Sequence, residues 1–248
     1  IWSNIIKNRY GISDKKSQLC RFHTQTAGSS LQAQQIENNI VRTTMQATAA
    51  ILGGTQSLHT NSKDEALSLP TENSAKLALR TQQILAYETG LPDVVDPLAG
   101  SYYVESLTTQ IEEKTLELIK QIDELGGAIP AIENNFQQNE ISNSAFEYQK
   151  EIENKDKIIV GLNKFTDLND SDIETQNIDQ LAIDDQLMRL KEFKKNRDKK
   201  NVINTLNTLK KGLNHDSNLL PLIIDCVRNH CTLGEICNVM KEVHGEHI

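Results

Sequence analysis

The sequence predicts an α/β chain: parallel strands joined by helices, with a helical tail. Two observations carry this. Through the first two-thirds, short β-like runs alternate with amphipathic helical stretches, the pattern of strand–helix–strand crossovers. After Phe165 the composition shifts, first to an acidic loop-like stretch and then to charged helical segments. Four parallel strands are half of an eight-stranded barrel or part of an open sheet. Both architectures place ligands at the carboxyl ends of strands.

Each element has its own signal. Ile1, Trp2, Ile5 and Ile6 fit one face of a helix already under way. Residues 18–25 (QLCRFHTQ) read as the first strand. Residues 32–52 read as a helix with Ile36, Ile40 and Ile51 on one side, stopped by Gly53-Gly54. GGTQSLHTN (53–61) follows as the second strand. Pro70-Thr71 opens a helix to about Thr89, closed by Gly90. Residues 92–96 (PDVVD) read as a short third strand before the loop from Pro97 to Gly100. Val104, Leu107, Ile111, Leu118, Ile122 and Leu125 then mark a long helix, ended by Gly126-Gly127. After a further helix pair, Ile158-Ile159-Val160 within DKIIVGLNKF (156–165) reads as a buried fourth strand. Beyond it come an acidic loop (167–185), a charged helical stretch (186–211) and an amphipathic pair (217–243).

Composition excludes several classes. Net charge is -8, from 26 basic and 34 acidic residues. This argues against a nucleic-acid or anionic-membrane partner, since binding phosphates needs a basic face. The lysine run in KEFKKNRDKK is read as a solvated helix face. No apolar run is long enough for a membrane span, and no signal peptide is visible. The chain starts at Ile1 rather than Met, so a fragment or processed chain is expected, with any targeting segment outside it. Cys20, Cys226, Cys231 and Cys237 form no Cys-x-x-Cys pair and read as small buried hydrophobes in a reducing compartment, with disulfides or zinc as the alternative. No P-loop, GxGxxG, HExxH or Gly-x-Ser-x-Gly occurs, and no metal ligand set is expected.

What stands out is polarity where apolar strands are expected. His23, Gln25, Gln56, Ser57, His59 and Asn61 fall at or near the carboxyl ends of successive strands, with Glu65 in the loop after. Singly, each histidine could be structural, and Asn61, Ser62, Asp64 or Glu65 could cap a turn. Together they suggest a ligand, because a buried polar group left unpaired costs about 1–3 kcal/mol.

Several blocks then carry a resemblance. RFHTQTAGSSL (21–31), NNIVRT (38–43), GGTQSLHTNSKDEALSLPT (53–71), DPLAGSYYVE (96–105), IVGLNKF (159–165), RLKEFKKNRD (189–198) and TLGEICNVMKEVHGE (232–246) occur in order. Across essentially the whole chain they resemble the large, catalytic chain of methylmalonyl-CoA mutase and its adenosylcobalamin-dependent acyl-CoA mutase relatives. The resemblance implies the C-terminal half of a (β/α)8 TIM-type barrel, strands five to eight, over residues 1–165. A helical extension without a cobalamin-binding domain would occupy 166–248. It implies an isomerase that interconverts methylmalonyl-CoA and succinyl-CoA by radical 1,2-migration of the thioester carbonyl group. Isobutyryl-, hydroxyisobutyryl- and ethylmalonyl-CoA are the alternative substrates of the same chemistry. A non-catalytic piece that docks a cobalamin subunit is the alternative of another class.

By motif match, the resemblance places Gly28 where backbone approaches the corrin ring, and His23 and Gln25 on the strand facing corrin and substrate. Gln56 and Ser57 would bond the pantetheine arm of CoA, Asn61 and Glu65 the ribose of the adenosyl group, and Ser68 would lie near the corrin. The family's radical-stage tyrosine and histidine and its carboxylate-gripping arginine belong to the first half, so no catalytic residue is expected here and the chain alone should be inactive. Ser29 replaces an expected aromatic residue, and Ala99 stands where a second glycine usually precedes Gly100. The cobalamin signature Asp-x-His-x-x-Gly is absent, so a separate small cobalamin-binding subunit, and hence a hetero-oligomer, is expected. The expected location is cytoplasmic, a mitochondrial leader lying outside the reach of a chain without its start.

Overall fold

The computed structural model describes residues 1–167, 175–176, 178–215 and 217–246. The chain divides into two compact units, Ile1–Gln176 and Asn177–Ile248. Much of the expected acidic loop, residues 168–174 and 177, lies outside the described residues.

In the first unit, α1 (Trp2–Asn4) runs into a π-helical turn, Ile5–Arg9. The first strand is shorter than its sequence suggests: β1 is His23–Gln25. Asp14 explains part of the loss, because its carboxylate accepts from the Ser17 amide at 2.9 Å and hydroxyl at 2.8 Å and holds that stretch in a turn. Helix α2 (Asn38–Leu52) follows, and then β2 (Ser57–His59). The two strands pair in parallel, with His23 opposite Ser57, Thr24 opposite Leu58 and Gln25 opposite His59. The ladder continues at each end through Gln56 N–H to Phe22 O (3.2 Å) and Thr26 N–H to His59 O (3.1 Å).

Helix α2 differs from expectation in its start and its buried stripe. It begins six residues later than residue 32. Its fully buried positions are Asn39, Thr43 and Ala47, spaced by four, whereas Ile40 and Ile51 are half-buried. Helix α3 (Glu72–Tyr87) starts as predicted, with Thr71 as its N-cap, and Gly90 sits beyond it in the left-handed region at φ 69°.

Two expected strands are not strands. Within 92–96, Leu91–Asp93 form a single 3₁₀ turn, and Val95 is 98% exposed. Pro92 lacks an N–H for a ladder, and among the described residues no strand lies beside this stretch. At 158–160 the backbone is claimed locally by Asn163. Its carboxamide accepts from Ile159 N–H (2.8 Å) and donates to Ile152 O (3.0 Å) and Lys157 O (2.8 Å). Val160 makes only one bridge, to Lys164, around Gly161 at φ 85°. Ile158 and Val160 are exposed rather than buried. The described sheet therefore has two strands, not four.

Helix α4 (Tyr102–Glu124) ends at the predicted Gly126-Gly127, and α5 (Ala128–Glu133) and α6 (Phe136–Glu153) form the predicted pair. Helix α4 buries no residue completely. Leu107, Ile111 and Leu118 are exposed, as are Tyr102, Ile141 and Phe146. So much open apolar surface marks a face built for further contacts.

The second unit is helical, and each helix has a side-chain cap. Asp179 opens α7 (Gln180–Asn196), Asp198 opens α8 (Lys199–Leu213), Asn218 opens α9 (Leu219–Arg228) and Thr232 opens α10 (Leu233–His244). The core joins Val202, Leu209 and Leu213 to Cys226, Cys231 and Ile236. Gly212 lets α8 and α9 meet, since a Cβ there would collide with Leu222. Helix α9 ends in a Schellman turn, with Cys231 N–H on Cys226 O (2.9 Å), His230 N–H on Val227 O (3.0 Å) and His230 at φ 62°. Cys226 and Cys231 are the buried hydrophobic pair of that motif. Cys20 and Cys237, by contrast, are exposed, against the expectation that all four are buried. The lysines at 191, 194, 195, 199 and 200 are solvent-exposed.

Glu235 ties this unit together. It closes a capping box with Thr232 and forms a bidentate ion pair with Arg197, which also donates to His230 O (2.8 Å). The Arg197 hydrogen bonds outweigh the cost of burial and hold the Glu235 carboxyl down at about 2, from an ordinary 4.5. A depressed carboxyl stabilises the fold above its ordinary pKa and loses that contribution as pH falls toward its native one. Glu235 should therefore contribute fully above pH 4.5 and fade toward pH 2, by about 2 kcal/mol after screening of a pair that is partly solvated. Amide exchange of α8 and α10 from pH 6 to pH 2 checks this. Divided by the intrinsic exchange rate at each pH, exchange should rise toward pH 2 in the native chain and be flat and already faster in Glu235→Gln.

Candidate functional site

Strand alternation builds the site. In β1 and β2 the middle residues, Thr24 and Leu58, are half-buried, while His23, Gln25, Ser57 and His59 are exposed. Four polar side chains thus share one face of the parallel pair. Across the register, His23 Nδ1 and Ser57 Oγ are 2.7 Å apart, a direct hydrogen bond.

The chain after β2 turns back over the end of β1. Asn61 N–H donates to the Thr26 hydroxyl (2.9 Å), and Gln25 Nε2 donates to Asn61 Oδ1 (3.4 Å). Asn61 is 2% exposed, and its Nδ2 has no hydrogen-bond partner among the described residues. Buried amide nitrogens are normally satisfied, so this one is poised for an acceptor from outside the chain. Gly28 approaches the same point. A Cβ there would lie 3.2 Å from Asn61 Nδ2 and 3.5 Å from Glu65 Oε1. Its hydrogen keeps that space open. The Glu65 carboxylate is exposed and has no hydrogen bond or ion pair in the described residues, while nearby Lys63 is paired with Glu37.

Glu65 also borders a groove of about 220 Å³ between the end of β2 and α3, with His59, Thr60, Ser62, Leu79 and Gln82 among its walls. A buried polar network shapes its floor. Thr60 Oγ1 donates to Ala78 O (2.8 Å) and accepts from Gln82 Nε2 (2.9 Å). Asp64, 1% exposed, accepts from the Thr71 amide at 3.0 Å and hydroxyl at 3.2 Å, anchoring the loop to the start of α3. Burial alone would raise its carboxyl. The Thr71 amide and the neighbouring Ser74 and Ser62 hydroxyls outweigh burial and leave it below its ordinary value.

The structure thus gathers Gly28, Asn61, Glu65 and Gln25 at one point and sets His23 and Ser57 side by side on the adjoining face. Gln56 is placed differently. Its Oε1 accepts from Phe22 N–H (2.7 Å) and its Nε2 donates to Gly54 O (2.7 Å), so its amide extends the strand pair. Ser68 bonds locally, its hydroxyl to Leu69 O (2.9 Å) and its amide to Asp64 O (3.1 Å). Sequence reasoning missed Thr26, Thr60 and Asn39 as supports of this loop. Thr26 and Thr60 each stand one residue beyond a strand end, a position that could have flagged them.

The neutral donor, the free carboxylate and the open glycine together suit a ligand with several hydroxyls. A carboxylate accepts from hydroxyls, and an amide N–H donates to an oxygen.

Comparison with known proteins gives a consistent picture. The family model described as methylmalonyl-CoA mutase matches residues 1–246. The chain is 41% identical over 248 residues to the probable mitochondrial methylmalonyl-CoA mutase of Caenorhabditis elegans, covering 100% of this chain and 33% of the relative. It is 41% identical over 249 residues to the methylmalonyl-CoA mutase of Rhizobium meliloti (strain 1021), covering 100% and 35%. The large subunit of 2-hydroxyisobutanoyl-CoA mutase of Aquincola tertiaricarbonis is 40% identical over 247 residues, covering 98% and 44%. The chain therefore spans between a third and less than half of the length of these curated relatives.

Proposed function

As a chain that belongs to the methylmalonyl-CoA mutase family, this protein, we propose, supplies the C-terminal part of the catalytic barrel of an adenosylcobalamin-dependent acyl-CoA mutase. The observation that carries the reading is the meeting of Gly28, the unpartnered Asn61 amide and the free Glu65 carboxylate at the strand ends. These residues fit the adenosyl end of that cofactor, where a ribose offers hydroxyls to a carboxylate and an oxygen to an amide.

In this reading β1 and β2 are neighbouring strands of the barrel. The open apolar faces of α4 and α6 favour it, since a half-barrel leaves surfaces that the remaining chain covers. Residues after 165 form the helical extension.

The roles of the chain's own residues follow. Glu65 accepts ribose hydroxyls, and Asn61 donates to a ribose oxygen. Gly28 lets the backbone come close to the corrin. His23 and Gln25, with Ser57 bonded to His23, give the barrel interior a fixed polar lining toward the substrate, while Gln56 reaches the pantetheine arm through its backbone edge. Ser68 bounds the cofactor side through its backbone. When bound, adenosylcobalamin supplies the radical that moves a hydrogen to and from the substrate. The packed barrel keeps water and oxygen out.

Methylmalonyl-CoA is the proposed substrate. The relative named for 2-hydroxyisobutanoyl-CoA is almost equally similar, which makes that acyl group the runner-up. That relative is also named a large subunit, in keeping with a separate small cobalamin-binding partner here. Turnover of a panel of acyl-CoA thioesters tests this, with the full gene product and any such partner, with and without adenosylcobalamin. Cofactor-dependent conversion of methylmalonyl-CoA is expected. Conversion of another acyl-CoA alone would overturn the substrate, and no conversion of any would overturn the mutase reading.

A further inference from the structure

We propose that Asn39 is a positioning residue, and that its side chain sets the spacing between the Gly28 loop and the Asn61–Glu65 loop. The inference rests on the reading of those loops as the adenosyl cradle. Asn39 lies in α2 and is 0% exposed. Its carboxamide is nevertheless fully used. Oδ1 accepts from Gln32 N–H (3.0 Å) and from Arg42 Nη1 (2.7 Å). Nδ2 donates to Gln32 O (2.8 Å) and to Lys63 O (2.8 Å).

The two ends of that hydrogen-bond set matter. Gln32 directly follows the short 3₁₀ turn Gly28–Ser30, which Leu31 closes with its N–H on Gly28 O (3.0 Å). Lys63 is the midpoint of the Asn61–Glu65 stretch. Asn39 is thus a single rigid amide joined to both loops. Gln46, two turns further along α2, holds only the first loop, through Ala27 N–H (2.6 Å) and the Ser30 hydroxyl (2.6 Å).

Arg42 fixes which way the amide points. With its oxygen facing the guanidinium and the Gln32 N–H, the amide must send its nitrogen toward the two carbonyls. A flipped amide would set donors against donors and oxygen against oxygen. Arg42 is itself held by Val160 O at 2.7 Å. Aspartate at position 39 would keep the bonds from Arg42 and Gln32 N–H but turn a carboxylate oxygen on the carbonyls of Gln32 and Lys63. The helix would keep its partner for Arg42 while the loop lost its tether.

The experiment uses the full-length protein, with any small cobalamin-binding partner for the binding readouts, in three forms: native, Asn39→Asp, and Thr43→Val. Thr43 lies one turn on in the same buried stripe, and its hydroxyl has no partner, so its loss is the control for a merely structural effect. Without cofactor, Asn39→Asp should speed amide exchange at residues 61–65 tenfold or more, and Thr43→Val should leave it unchanged. Asn39→Asp should also weaken adenosylcobalamin binding five- to tenfold while leaving hydroxocobalamin, which has no adenosyl group, unaffected. Unchanged exchange at 61–65, or equal loss for both cobalamins, would overturn the inference. If Asn39→Asp does not accumulate folded, Asn39→Ser carries the same two readouts. Glu65→Ala in parallel separates the two readings: if it leaves adenosylcobalamin binding intact, the cradle fails, and the exchange result still decides the role of Asn39.

Discussion

Replacing Asp64 with alanine should cost about 1.5–3 kcal/mol of stability, the effect of taking a charged acceptor away from buried hydrogen-bond donors. The loop from β2 to α3 hangs on this carboxylate. It is 1% exposed and accepts both the amide and the hydroxyl of Thr71, the residue that caps α3. Removing it leaves the Thr71 N–H without its acceptor and frees the loop that carries Asn61 and Glu65. Asn in its place keeps an oxygen for Thr71 and should lose less, about 1–2 kcal/mol. Denaturant titration of the full-length protein measures both. The carboxyl lies below its ordinary value, so its contribution is complete above the ordinary aspartate range and is lost as pH falls below it. The acid limb of the stability profile should accordingly flatten in the alanine variant.

Glu65→Ala should do the reverse, leaving stability within about 0.5 kcal/mol while cutting adenosylcobalamin affinity. The side chain is exposed and bonds nothing among the described residues, so the fold has little to lose. A charged hydrogen bond contributes about 1.5–3 kcal/mol, which corresponds to about a ten- to a hundredfold loss of affinity. Glutamine, which still accepts one hydrogen bond, should recover part of it. Unchanged affinity in the alanine variant would remove Glu65 from the site.

The two variants also show why the sequence was legible in some places and not in others. Caps and stops were readable because they are local. Thr71, Gly90 and Gly126-Gly127 act through their own backbone or near neighbours, and α3 and α4 begin and end close to where these residues stand. The strands at 92–96 and 158–160 were not readable, because a strand exists only where another strand pairs with it. Val94 and Val95 carry β propensity, yet no ladder meets them in the described chain, and Asn163 takes the backbone groups that Ile159 would have offered. The buried stripe of α2 was missed for a related reason. A search for apolar periodicity finds Ile36, Ile40 and Ile51, while the helix buries Asn39 and Thr43. Burying Asn39 is tolerable only because four hydrogen bonds with three residues, one of them 24 residues away, satisfy its amide. The polar residues of the site were visible as an anomaly of composition, HTQ and QSLHTN where apolar strands belonged. Their convergence depended on the parallel register and on the turn that folds Asn61 back onto Thr26, which spacing alone does not encode.

The central claim is that the Gly28–Asn61–Glu65 corner holds the adenosyl end of cobalamin. Its most direct test is a pair of binding titrations on the full-length protein together with any small cobalamin-binding partner, one with adenosylcobalamin and one with hydroxocobalamin, for the native chain and for an Asn61→Ala/Glu65→Ala double variant. The account predicts that the double variant loses adenosylcobalamin affinity by at least a hundredfold and keeps its affinity for hydroxocobalamin. Equal affinities of the native and double-variant chains for adenosylcobalamin would contradict it.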